Sequence, residues 1–213
     1  MTEPIPLRQR RARLTRPRFE TATLALQSGQ LLAVEIRHPR GRAAGTAILL
    51  HPMMASRRVW NMPREQGFVS AMNQAGIRTL ALDFRGHGES KPTPTRGASF
   101  GFDALVNEDI PAIGRAARER WGSHRLTIIG HSLGGSTAVA SVATGACVPD
   151  ALVLLATNVW LPSEEPNPVA RAKKAAIAQA CRALGRIVGH FPARALGAGS
   201  DDEPRSLMES WTG

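Results

Sequence analysis

The chain has only two cysteines in 213 residues, Cys147 and Cys181. Neither belongs to a Cys-x-x-Cys pair or lies beside a histidine cluster, which excludes a local zinc site and a dithiol redox motif. Both sit among small or apolar residues and read as buried free thiols. No stretch approaches the roughly eighteen consecutive apolar residues of a membrane span, and the N-terminus has no apolar run of signal-peptide length. The expectation is a soluble, cytoplasmic protein. Internal repeats are also missing, so a solenoid or propeller is excluded.

Acidic residues are scarce too. Seventeen acids face twenty-seven bases, a formal net charge of +10. Six arginines (Arg8, Arg10, Arg11, Arg13, Arg16 and Arg18) crowd the first eighteen residues against one acid, Glu3, and supply about half of the excess. Pro4, Pro6 and Pro17 and the lack of apolar periodicity make residues 1–18 a basic disordered tail. An anion-binding role for this tail is the weakest reading. Nucleic acid is disfavoured because no aromatic interleaving or recognition helix accompanies the arginines.

What is present is an alternation of strands and helices. Residues 19–27 and 30–38 flank the Ser28-Gly29 turn signal and predict an antiparallel hairpin. TAILLH (46–51), IRTLALDF (77–84), RLTIIGH (125–131) and ALVLLAT (151–157) are short apolar runs of the kind a buried parallel sheet uses. Helix-compatible segments at 63–75, 109–120 and 133–145 separate them. The fold class is therefore α/β, a mostly parallel sheet with helices on both faces and an N-terminal antiparallel hairpin. From Trp160 the composition changes to a linker and a basic amphipathic helix over 169–188. Its stripe of Val169, Ile177, Cys181, Leu184 and Val188 predicts core packing or a lid. The expected organisation is a tail (1–18), a core (19–160) and a lid segment (161–213).

The chemistry centres on Gly130-His131-Ser132-Leu133-Gly134, which follows an apolar strand and opens a helix. A serine on such a turn takes strained backbone angles, and small residues at positions −2 and +2 leave room for the bend. The Leu133 amide at the helix start is a candidate oxyanion donor, aided by the helix dipole. His131 points away from its neighbour at a sharp turn and is a weak base candidate.

Three segments in order, HPMMAS (51–56), DFRGHGES (83–90) and GHSLGG (130–135), resemble the α/β-hydrolase fold. The likeness runs over about residues 19–213 and is nearest to bacterial hydrolases of the serine-aminopeptidase and monoacylglycerol-lipase-like group. The resemblance implies an acyl hydrolase with Ser132 as nucleophile and Met53 and Leu133 as the two oxyanion amides. Pro52 stands where the family has glycine, but Met53 keeps its N–H. It also implies a bracing role for His51, a structural loop built on Asp83, Arg85 and His87, and no metal or cofactor.

Missing from the sequence are the later triad members. The family order is Ser, then Asp or Glu, then His on loops after later strands, and only His190 follows Ser132. Two further strands and a helix, about 70 residues, would ordinarily carry both. The chain therefore reads as truncated, with ALVLLAT as an apolar edge open to self-association or to a complementing C-terminal chain. Two readings stay open: a serine hydrolase acting on small ester or amide substrates, catalytically incomplete in this chain, or a non-catalytic hydrolase fragment acting as an interaction or remnant protein.

Overall fold

In the computed structural model, residues 18–63, 66–96, 100–122, 125–158 and 162–212 are described. The arginine tail through Pro17 and His124 lie outside them. Six strands, β1 (Arg18–Ala25), β2 (Leu31–His38), β3 (Gly45–Leu50), β4 (Ile77–Leu82), β5 (Leu126–His131) and β6 (Ala151–Leu155), form one sheet in the order β1-β2-β4-β3-β5-β6. The hairpin β1–β2 is antiparallel and joins β4 antiparallel, while β4, β3, β5 and β6 run parallel. The strand pattern is thus the one the apolar runs predict: β5 ends at its sequence bound, His131, and β3, β4 and β6 end one or two residues before theirs.

The period-two alternation of β3 decides the layering. Ile48 and Leu50 join a cluster containing Leu80, Leu82 and Ile128 of the neighbouring strands, Ile113 of α3 (Ile110–Trp121) and Leu133 and Ala138 of α4 (Leu133–Ala143). Ala47 and Leu49 face the other way, with Trp60, Ala81, Ile129 and Val69 of α1 (Phe68–Gln74). Ile48, Leu49 and Leu50 are fully buried, and each such side chain contributes about 1.5–3 kcal/mol. This run of consecutive apolar residues is therefore explained by helices on both faces.

The expected start signal at Asp109-Pro111 lies inside a longer helical run. A single turn, α2 (Phe102–Ala104), passes through a π turn over Leu105–Asp109 into α3. The Ile110 N–H bonds back to Leu105 O, and Ser141 Oγ donates to Val106 O at 2.8 Å. A proline lacks the N–H that would continue this ladder, so the widened turn and the hydroxyl together satisfy the carbonyls beside it.

Beyond β6 the chain forms α5 (Pro168–Val188), the short pair β7 (His190–Phe191) and β8 (Glu203–Pro204), and α6 (Arg205–Thr212). Asn167 caps α5 by accepting from the Val169 and Ala170 amides, and Pro168 takes the first helical position. The predicted apolar stripe is not the packed face. Val169, Ile177 and Val188 are 77%, 43% and 45% exposed, whereas Ala178 and Gly185 are buried. Small residues let α6 approach closely, and only Cys181 and Leu184 of the stripe join the small cluster of Phe191, Ala193 and Met208. Met53 and Met54 pack against that same cluster. Among the described residues β6 ends the sheet, with Val153 and Leu154 40% and 45% exposed, and no helix is long and apolar enough to cross a membrane.

Candidate active site

Leu50 of β3 stands opposite Gly130 of β5 in a parallel register, so the segment after His51 and the turn at Ser132 leave the same end of the sheet side by side. Ser132 has φ +51° and ψ −114° and begins α4. Such angles are costly for a residue with a side chain and persist only where surroundings hold them. The holding is visible in the glycines. A Cβ at Gly130 would lie 2.4 Å from Gly134 O, and one at Gly134 would lie 2.3 Å from Leu50 O. The helix thus begins in contact with the end of β3. Ser132 N–H donates to Leu155 O at 3.0 Å, and its carbonyl accepts from the Gly135 and Ser136 amides.

The half-buried Ser132 Oγ has no hydrogen-bond partner among the described residues. The Leu133 amide belongs to the first turn of α4, where N–H groups have no intrahelical acceptor. Met53 is half-buried against the cluster that contains Leu133, and its N–H is likewise without a partner among the described residues. His131 packs edge-on to Trp60 with ring centroids 6.5 Å apart. His190 lies in β7 with Nε2 3.8 Å from an Asp202 carboxylate oxygen, an arrangement that does not bring it to Ser132. Cys147 is buried, as expected, but Cys181 is only half-buried.

Two buried histidines flank this end of the sheet in opposite charge states. His51 Nδ1 donates to Pro52 O at 2.8 Å, and its Nε2 accepts from the Phe84 amide at 3.1 Å. That pair of bonds requires a neutral ring. Complete burial, reinforced by the charge of His87, pushes the His51 pKa down to about 3. His87, whose ring centroid lies 5.0 Å from that of His51, bonds Arg85 O through Nδ1 at 3.0 Å and a Glu203 carboxylate oxygen through Nε2 at 2.9 Å. Both ring nitrogens face acceptors, so the ring is an imidazolium. Burial opposes that charge, but the Glu203 carboxylate outweighs it and the pKa rises to about 9.

Around them, the loop after β4 is built on charge pairs. Asp83 accepts from the Arg57 amide at 2.7 Å, the Glu89 amide at 2.9 Å and the Arg57 guanidinium. Burial still pushes its carboxyl pKa up. Arg85 is 2% exposed and reaches Asp109 through Nε at 2.7 Å and Nη2 at 2.5 Å. Desolvation holds Asp109 at about 6 in spite of that partner.

Sequence reasoning missed the contribution of residues 199–203, which it placed within the lid segment. Glu203 is fully buried and accepts from the Met54 amide as well as from His87. Met54 O accepts from the Ser200 amide at 2.9 Å and the Asp201 amide at 3.2 Å, and Asp201 accepts from the Gly88 amide at 2.8 Å. The one available signal was His87 itself, a histidine in a Gly-His-Gly turn that needs an acceptor. Nothing local says where that acceptor comes from. Among the described residues no group of three or more His, Cys, Asp or Glu side chains could hold a metal ion.

The sequence profile of the family described as serine aminopeptidase, S33, matches residues 49–203. No curated protein sequence matches the chain. Among solved structures, the hypothetical protein PA2218 from Pseudomonas aeruginosa aligns with TM-score 0.63 and 18% identity over 99% of this chain and 77% of its own. A thermostable carboxyl esterase from Bacillus coagulans, solved with glycerol, aligns with TM-score 0.55 and 20% identity over 84% of this chain and 55% of its own. The Pyrococcus furiosus esterase Pf2001 aligns with TM-score 0.47 and 21% identity over 58% of this chain. This chain spans 46% of the length of that esterase.

Proposed function

The chain belongs to the serine aminopeptidase S33 family, and from that premise we propose that it is an α/β-hydrolase acting on small ester or amide substrates through Ser132. The observation that carries this reading is the Ser132 backbone, held at φ +51° between a buried strand and a helix start. A turn under that strain projects its hydroxyl beyond the sheet edge. In this reading Ser132 Oγ attacks the substrate carbonyl, and the Met53 and Leu133 amides stabilise the oxyanion. Removing one such donor from a serine hydrolase costs roughly a hundredfold to a thousandfold in kcat. In the same reading residues 19–160 form the catalytic core and residues 161–213 a lid, which has a small cluster of its own around Phe191 and Met208 and is tied to the core through Leu207.

The machinery carried by the described residues is a nucleophile with its oxyanion donors, and a base and an acid complete it from elsewhere. This part of the reading is supported by the unpartnered Ser132 Oγ and by His190 facing Asp202. Without a base, roughly a thousandfold to ten-thousandfold acceleration over water remains from binding and the oxyanion hole. The same unpartnered hydroxyl favours a second reading, a non-catalytic hydrolase fragment whose exposed β6 edge pairs with a second copy or a complementing chain. Labelling by a fluorophosphonate probe and turnover of short p-nitrophenyl esters, compared with Ser132→Ala, decide between them. Labelling above the variant supports the hydrolase; equal labelling leaves the non-catalytic reading.

A further inference from the structure

We propose that Glu203 is a positioning residue for the oxyanion loop: its carboxylate, anchored on His87, holds the Met54 amide and thereby fixes where the Met53 N–H points. This inference rests on the assignment of Met53 as an oxyanion donor. It adds that the donor is competent only while residues 199–203 are docked.

The argument starts from the peptide planes. Met53 N–H and Pro52 C=O belong to one planar trans unit and point in opposite directions. His51 Nδ1 grips that unit at Pro52 O, at 2.8 Å. The next unit, Met53 C=O with Met54 N–H, is gripped at its N–H by Glu203. The one after it is gripped at Met54 O by the Ser200 and Asp201 amides. Three successive peptide units are thus held, the first by His51 within the loop and the next two by residues 200–203, and of their three N–H groups those of Met53 and Ala55 have no partner among the described residues. Met54 itself sits at φ +58°, a conformation unfavourable for a side-chain-bearing residue, so the loop needs these external bonds to stay in place.

The grip is also tight and charged. A Cβ on Gly199 would lie 2.2 Å from Met54 O, so the docking strand approaches as closely as only glycine permits. Glu203 and His87 are both fully buried, and a buried carboxylate needs its partners if it is to remain ionised. The groups facing His87 are Glu203, Asp201, the Arg85 carbonyl and the neutral ring of His51. Loss of the His87 proton, which has a pKa of about 9, removes the positive charge opposite the Glu203 carboxylate and costs the ring one of its two hydrogen bonds, which weakens the clamp. Conversely, a glutamine at 203 can accept from the Met54 N–H through its oxygen and donate its NH2 to a neutral His87.

The test uses the full chain and p-nitrophenyl acetate, with kcat and KM measured across pH 6–10. Glu203→Ala is expected to lower kcat about tenfold to a hundredfold, in line with a misplaced donor, with KM changed less than about threefold. The wild type is expected to lose kcat as the pH rises through about 9; Glu203→Gln is expected to recover most of the loss seen in Glu203→Ala and to lack that alkaline decline. Gly199→Ala, which pushes the segment off Met54 without changing charge, lowers kcat in the same sense and serves if Glu203→Ala does not fold. An unchanged kcat in folded Glu203→Ala and Gly199→Ala overturns the proposal, as does an equal loss in Glu203→Gln and Glu203→Ala. If wild type and Ser132→Ala hydrolyse the ester alike, the reading of Ser132 fails instead. Amide exchange over Met53 and Met54 then judges Glu203 alone: slow exchange in wild type and Glu203→Gln but fast in Glu203→Ala supports the clamp, and equal exchange in all three rejects it.

Discussion

The turn at Ser132 and the clamp at Met54 sit side by side at one end of the sheet and are held by opposite means. The turn is fixed by backbone contact: Gly130 against Gly134, and Gly134 against Leu50. The clamp is fixed by buried charge: Glu203 between His87 and the Met54 amide. Steric fixation is local and insensitive to pH. Charged fixation recruits residues more than a hundred positions apart and depends on every partner keeping its protonation state. On the proposed reading, a site assembled from both kinds of support would have a rigid nucleophile at Ser132 and a conditional oxyanion loop.

The comparison breaks most sharply on the charged side. Asp109→Ala leaves the Arg85 guanidinium, 2% exposed, without its buried carboxylate partner, and removing one member of a buried pair costs about 3–5 kcal/mol. The urea midpoint should fall accordingly with its slope unchanged; a loss below 1 kcal/mol would mean that Glu108 and Gln30, which also reach Arg85, suffice. On the steric side, Gly134→Ala sets a methyl 2.3 Å from Leu50 O, an overlap with backbone that no rotamer relieves. The expected cost is about 1–3 kcal/mol, read by thermal unfolding, with fluorophosphonate labelling lost in the same variant. Retained labelling would show that the turn tolerates displacement from β3.

These two supports also differ in how far the sequence revealed them. The strands, the turn at Ser132 and its glycines were legible because each depends on neighbours within a few residues: apolar runs, a Gly-x-Ser-x-Gly spacing, a helix start. The roles of His51 as a brace and of Asp83, Arg85 and His87 as loop supports were legible through family resemblance, and their hydrogen bonds agree with such roles. Glu203 was not, because a glutamate in a polar stretch looks solvated until a distant histidine is seen to meet it. The stripe on α5 failed for a related reason. Periodicity places Val169, Ile177 and Val188 on or near one face, but the partner helix chose the face of Ala178 and Gly185, where small side chains permit closer packing.

The two histidines sharpen the contrast through pH. His51, held near a pKa of 3 in the folded state, leaves the unfolded chain as the better proton acceptor below about pH 6.5. Stability from this ring therefore falls as the pH drops from about 6.5 toward 3. His87, raised to about 9, works in the other direction: its contribution is complete below about pH 6.5 and is lost as the pH rises through 9. Each proton sets a slope of about 1.4 kcal/mol per pH unit where it acts. Melting temperatures between pH 4 and 10 should show a maximum near neutrality. His87→Gln should flatten the alkaline limb and His51→Asn the acid limb, and a variant that flattened the opposite limb would reverse the assignment of charge states.

The smallest effect uses the same substitution as at the turn, with the opposite sign. Gly185 lies inside α5, where a Cβ would meet nothing nearer than Arg205 Cγ at 3.7 Å, an ordinary contact. A glycine in a helix interior costs about 0.5–1 kcal/mol relative to alanine because the unfolded chain gains the extra freedom. Gly185→Ala should therefore stabilise the protein by about that amount, raising the melting temperature by roughly 2–4 °C per kcal/mol. Gly134→Ala and Gly185→Ala remove the same backbone entropy from the unfolded chain, so the difference between them isolates steric contact at Leu50 O. If both variants were destabilised equally, the fit of α6 against α5 would be as tight as the seat of Ser132, and the contrast between the two glycines would fail.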